Sequence, residues 1–171
     1  MSSGLNWINA LPAKECEAAF MKCCGSKKWA ESMTLSRPFA STEILKATAQ
    51  KIWESLSSQD QREVFGHHPR IGDLRSLEKR FKDTHAHSTA EQSGIKGAPQ
   101  DVLLKLAQGN EAYEKKFGYL FLVCASGKSA EQMLAMLNAR LQNDVATEFR
   151  SAMIEQAKIT QLRLDKLLTR G

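Results

Sequence analysis

The sequence predicts an all-α fold, a single-domain helical bundle of about seven to nine helices. Three observations predict it. Apolar residues recur at three- and four-residue steps along most of the chain. Helix-opening and helix-closing residues bracket those stretches. Only one segment, Tyr119 to Ala125, has the continuous β-branched and aromatic character of a strand, and no second strand is available to pair with it. With 171 residues, the chain is long enough for one domain with one core.

Taken in order, Pro12 is placed to open a first helix and Gly25 to close it after Cys24. A short helix covers Lys28 to Met33 and breaks at Ser36-Arg37-Pro38-Phe39. Ser41 then reads as an N-cap. Ile44, Leu45, Ala49, Ile52, Trp53 and Leu56 follow it as one buried face. Gln59 to Phe65 forms a short helix stopped by Gly66. His67 to Asp73 is expected to be irregular, since Pro69 biases His68 away from helical dihedrals. A helix over Leu74 to Lys82 follows, and Ser88 caps another that carries Glu91. Pro99 and Gln100 open a longer helix through Leu106, Tyr113 and Phe117, closed by Gly118. Tyr119 to Ala125 is expected as an isolated extended or partly helical piece, because periodicity alone does not decide it. Ser129 with Gln132 fits a capping box for a helix carrying Met133, Leu134, Leu137 and Leu141. Asn143 is the expected cap of the last helix, Asp144 to about Leu168.

Bulk composition narrows the function classes. Apolar residues are 42% and charged residues 25%, ordinary globular usage that argues against disorder as the dominant state. The net charge is +5, which suits a small anionic ligand or weak nucleic-acid contact. The basic residues are spread along the chain without a basic-aromatic stripe, so nucleic-acid binding is not expected. No apolar run approaches the ~20 residues of a membrane span, and no secretory pattern opens the chain. Cys16, Cys23, Cys24 and Cys124 make neither a disulfide framework nor a zinc ribbon. Reduced, buried thiols in a cytoplasmic protein are the expectation.

The chemistry-bearing residues concentrate in one stretch. All four histidines lie between 67 and 87, and Glu91 follows. An imidazole titrates near neutrality and a carboxylate can orient or charge it, so the pairing suits proton transfer. A polar surface loop with scattered histidines is the alternative. Neither the adjacent His67-His68 nor His85-x-His87 has the helical spacing of a zinc site, so no metal is expected. A Gly-x-Ser-x-Gly elbow and a phosphate-cradling loop are both missing. Cys124 would serve as a nucleophile only if it met a histidine in space. Arg163 lies four residues after Ile159 and four before Leu167, on the stripe these share with Ala152. An inward arginine needs an acid or an anionic ligand; otherwise its stem packs inward while its head reaches water.

Several blocks together carry a resemblance. They are Arg37-Pro38-Phe39, His67-His68-Pro69-Arg70-Ile71-Gly72 and Ser88-Thr89-Ala90-Glu91-Gln92-Ser93-Gly94. Asn110-x-x-Tyr113-x-x-Lys116-Phe117-Gly118-Tyr119-x-Phe121, Arg140-Leu141-x-Asn143 and Ile159-x-x-x-Arg163-Leu164 complete the set. In order and spacing the chain resembles the 2-oxo-4-hydroxy-4-carboxy-5-ureidoimidazoline (OHCU) decarboxylase family from about residue 10 to 168. The resemblance implies one OHCU decarboxylase-like domain over residues 1–171, working without a cofactor in urate breakdown and releasing carbon dioxide and (S)-allantoin. It puts the catalytic pair on His68 and Glu91. Substrate contacts fall on Pro69, Ser88 to Gln92, Phe121, Leu122, Val123, Cys124, Ala125 and Arg163. His67 departs from some members, which carry a cysteine or another residue there. The partner implied is a small anionic ureidoimidazoline, and a homodimer is compatible with the sequence. A non-catalytic helical module that binds anionic heterocycles or a partner protein is the competing reading. The presence of His68, Glu91 and Arg163 together favours the enzyme, since a binding module needs no titrating pair.

Overall fold

Helix-forming segments separated by capping residues build the chain. The computed structural model describes residues 3–68 and 98–169. Among these the protein is all-α, with eight helices and no strand. The helices are α1 (Ser3–Ala10), α2 (Ala13–Cys24), α3 (Lys27–Leu35), α4 (Thr42–Ser55) and α5 (Ser58–Phe65). After the undescribed residues come α6 (Gln100–Phe117), α7 (Ala130–Arg140) and α8 (Val145–Leu168). No described helix is long and apolar enough to cross a membrane. The helices expected over Leu74 to Lys82 and from Ser88 lie outside the described residues.

Local chemistry sets the boundaries. Pro12 precedes α2, and Gly25 ends it at φ 85°, a left-handed conformation that costs glycine nothing. Gly118 ends α6 in the same way at φ 78°. Ser26, Ser41 and Ser57 each accept a backbone N–H and so cap α3, α4 and α5. Ser129 and Gln132 form the expected capping box of α7. Three expectations need correction. Ile44, expected on the buried face of α4, is 50% exposed. Helix α1 precedes Pro12 and was not foreseen. The cap of α8 is Asp144, not Asn143: Asp144 Oδ1 accepts the N–H groups of Ala146 and Thr147 at 3.0 and 2.9 Å. A carboxylate there also meets the positive end of the helix.

Two compact units divide the chain, Met1–His67 with Met153–Gly171, and His68–Ala152. In the first, Leu5, Ile8, Phe20, Trp29, Met33, Leu45 and Phe65 are fully buried. Phe20 meets Trp29 and Phe39 edge-on. The Trp29 indole donates to the Ala49 carbonyl, so the buried ring keeps its polar atom satisfied. Arg37 closes the α1 end by donating to the carbonyls of Ile8 at 2.9 Å and Leu11 at 2.7 Å. This gives the Arg37-Pro38-Phe39 block a structural role: a cation satisfies carbonyls that a helix end leaves open.

The second unit has its own core of Leu106, Tyr113, Leu122, Met133 and Leu137. Helices α6 and α7 approach closely at Gly109, where an added Cβ would meet Leu137 Cδ2 at 2.6 Å. Tyr119 to Ala125 is neither helix nor strand, the extended rather than the partly helical of the two expectations, and Phe121 to Cys124 are buried.

Candidate functional site

Within the first unit, the C-terminal end of α2 presents the carbonyls of Cys23 and Cys24. Gly25 then turns the chain into α3. Helix α8 supplies three polar side chains to this end. Gln156, fully buried, donates to the Cys24 carbonyl at 3.3 Å and to the Thr160 hydroxyl at 3.1 Å. Arg163 Nη1 donates to the Cys23 carbonyl at 3.5 Å. The arginine is half-buried, a cation at the negative end of a helix.

The stripe that placed Arg163 is partly shifted. Ala152, Ile159, Leu164 and Leu168 are buried along α8, whereas Leu167 is half-buried. Steps of four residues overshoot a turn by about 40°, so the chosen series drifts off the buried face. Arg163 therefore sits at the border of that face. Its charge also bears on a neighbouring thiol. Burial pushes Cys24 up to about 11; hydrogen bonds from the Ser26 backbone and Thr160, and the Arg163 charge, oppose that rise. All four cysteines are buried thiols, as expected.

The histidine pair follows α5 immediately. The His67 N–H donates to the Val64 carbonyl at 3.1 Å, which continues the last turn of the helix. Its side chain is 3.8 Å from where a Cβ on Gly25 would stand. His67 is exposed and His68 half-buried. Pro69, Ser88, Glu91 and Gln92 lie outside the described residues, so the His68–Glu91 geometry does too.

In the second unit, the Phe121–Ala125 run is backed by a buried ionic network. Glu148 is fully buried and Arg140 nearly so. Arg140 reaches Glu148 Oε1 with Nη2 at 2.5 Å and Nε at 2.8 Å. The Tyr113 hydroxyl donates a short hydrogen bond to the same oxygen, and Asn143 Nδ2 donates to Oε2 at 2.8 Å. Burial, with the Glu148 contact, pushes the Tyr113 phenol far up, so it stays protonated. Arg140 Nη1 also donates to the Leu122 carbonyl at 2.5 Å, and its guanidinium lies 4.8 Å from the Phe121 ring centre. Lys128 Nζ donates to the Cys124 carbonyl at 2.6 Å. Sequence reasoning named Arg140 only as part of a family block, Tyr113 as a family-block and helix position and Asn143 as a family-block residue and helix cap, and did not find Glu148 or Gln156. A glutamate in the first turn of a helix looks like an ordinary dipole partner. A glutamine amid apolar positions, seven residues before Arg163, was the missed signal for the α2 contact.

Among the described residues the fold is all-α, with Arg163 on the last helix bonded to the end of α2 and the two histidines directly after α5. Comparison with known proteins identifies the family. The family model for OHCU decarboxylase matches residues 9–165, and the chain belongs to that family. The uric acid degradation bifunctional protein TTL of Arabidopsis thaliana is 38% identical over 149 residues, covering 86% of this chain and 45% of that protein. The OHCU decarboxylase of Haloferax volcanii is 26% identical over 161 residues, covering 94% of this chain and 93% of that protein. A crystal structure of an OHCU decarboxylase in the presence of (S)-allantoin superposes with a TM-score of 0.74 at 36% identity, covering 88% of this chain and 96% of that one. The chain spans less than half the length of the bifunctional relatives it matches.

Proposed function

We propose that this chain is a carbon–carbon lyase that decarboxylates OHCU to (S)-allantoin in urate degradation. The observation that carries this reading is the family match over residues 9–165, within which His68, Glu91 and Arg163 all fall. The relative solved with (S)-allantoin supports the product.

The substrate explains why so few groups suffice. OHCU carries its carboxylate on a carbon beside a C=N bond. Breaking the carbon–carboxylate bond releases carbon dioxide and sends the electron pair into that C=N bond. The substrate is thus its own electron sink, the task that an organic cofactor performs elsewhere. The protein's share is binding, proton traffic and stereocontrol. His68, charged or oriented by Glu91, handles the 4-hydroxyl proton or delivers a proton to one face of the enol-like intermediate. Arg163 binds the anion through charge-assisted contacts. Pro69, Ser88 to Gln92 and the Phe121–Ala125 segment line the ligand. The apolar character of that last segment favours carboxylate loss, because water stabilises the ionic ground state more than the delocalised transition state. Four buried thiols suit the cytoplasm, where we place the enzyme.

The test follows freshly prepared OHCU by circular dichroism with and without the protein. Accelerated decay into the signal of one allantoin enantiomer is expected. Decay at the spontaneous rate, or to racemic allantoin, would overturn the reading.

A further inference from the structure

The Arg140-Leu141-x-Asn143 block has no part in the chemistry above, yet it forms the most heavily bonded buried site among the described residues. Arg140 makes two kinds of contact. Through Nε and Nη2 it is paired with Glu148, whose other oxygen is held by Asn143. Through Nη1 it grips the main-chain carbonyl of Leu122, and its guanidinium packs over the Phe121 ring. The first set closes the end of α7 onto the start of α8. The second reaches a segment that has no helix or sheet ladder of its own to hold it. Backbone of that kind depends on side chains for its hydrogen bonds. A guanidinium serves both sets at once because its donors form a rigid planar fork; an ammonium would not.

We propose that Arg140 is a positioning residue for ligand binding: through the Leu122 carbonyl it holds Phe121–Ala125 in its ligand-receiving conformation, with Glu148 as the counter-ion that fixes the guanidinium. This rests on the proposed function for the identity of the ligand. Lys128 adds a second tether at the Cys124 carbonyl. A purely structural buried pair would stabilise the fold but would leave the affinity of the folded protein unchanged. Here the pair and the lining segment share one side chain, so disturbing it loosens the segment directly.

The experiment compares three variants by amide exchange of peptides covering residues 119–127 and by OHCU kinetics. Arg140→Lys keeps the charge and loses the fork. Tyr113→Phe removes a hydroxyl that donates to Glu148 and accepts from Arg140 Nη2 at 3.3 Å, but leaves the Nη1 contact to Leu122 intact. The double variant Arg140→Met with Glu148→Leu replaces the buried pair by apolar side chains, a swap such sites tolerate, and covers the case in which Arg140→Lys does not fold. For Arg140→Lys and the double variant, exchange in 121–125 should rise about tenfold or more. KM should rise about tenfold, with kcat changed by less than about threefold. Tyr113→Phe should melt lower yet keep parent exchange and KM. Parent values in the Arg140 variants would overturn the proposal. So would equal loosening by Tyr113→Phe at a matched loss of stability. A parent protein that fails to turn over OHCU would refute the proposed function instead, and the exchange comparison would still judge the tether.

Discussion

Replacing Arg163 with alanine separates a ligand contact from a structural one. The fold would lose the Cys23 carbonyl contact, whose 3.5 Å length puts it at the weak end of hydrogen bonds. Such a bond contributes about 0.5 kcal/mol at the low end of the usual range. The charge at the α2 C-terminus adds about 0.3–1 kcal/mol. These two contributions, near 1 kcal/mol together, correspond to a fall in Tm of about 2–4 °C for a chain of this size. The anionic substrate stands to lose more. Truncating one partner of a desolvated charge contact costs about 2–5 kcal/mol. At 1.4 kcal/mol per factor of ten, kcat/KM for OHCU should fall about 30-fold or more. (S)-allantoin lacks the carboxylate and should weaken in the same direction by less. Arg163→Lys should recover part of the loss, since it restores charge without the planar fork. Scanning calorimetry and OHCU kinetics on the same preparations decide the matter. A Tm lowered by more than about 10 °C, with kcat/KM of the folded fraction at the parent value, would refute the reasoning and make Arg163 structural.

Three further outcomes are expected. His68→Ala should lower turnover by at least about 10²-fold, as for removal of a general acid–base group, and His67→Ala by much less; steady-state kinetics reporting the reverse order would exchange the roles of the pair. Glu148→Ala strands the buried Arg140 guanidinium, which typically costs about 3–5 kcal/mol; a Tm drop of roughly 6–20 °C should follow, and an unchanged melting curve would contradict the network. Cys24 has a folded-state pKa of about 11 against an ordinary 9.0, so its contribution to stability is fully present below pH 9 and is lost as pH rises from there toward 11. Denaturant unfolding should show roughly 2–3 kcal/mol of that loss, reduced in Cys24→Ala; equal slopes for the two proteins would rule the thiol out.

The features legible in the sequence were those decided within a few residues. Pro12, Ser41, Gly25, Gly118 and the Ser129–Gln132 box act on their own turn, so residue type and spacing fix their role. For the Tyr119–Ala125 run the sequence offered no pairing strand and left extended and partly helical alternatives open; the segment is neither helix nor strand, which favours the first. Helix α1 escaped because it precedes a proline already sufficient to start a helix. Asn143 was mistaken for a cap because Asn and Asp compete for that position with nearly equal preference. The structure separates them by what lies within reach: Asp144 meets the free N–H groups of α8, while Asn143 meets the Glu148 carboxylate.

Side-chain partners across a turn were less legible, and the candidate site depends on such partners. Arg140 and Glu148 are only eight residues apart, yet nothing in the spacing says that the intervening turn folds their side chains together, or that Leu122 supplies the third partner. The positions of the two arginines explain why helical period singled out one and not the other. Arg163 lies inside a long helix, where period alone gives direction to within part of a turn. Arg140 is the last residue of α7, where the helical period stops giving direction. Its role depends on the path taken by the following residues. Family blocks marked Arg140 as significant without saying why, and its joint hold on Glu148 and Leu122 supplies the physical reason: one planar cation satisfies a buried carboxylate and a main-chain carbonyl in a segment outside any helix or sheet ladder.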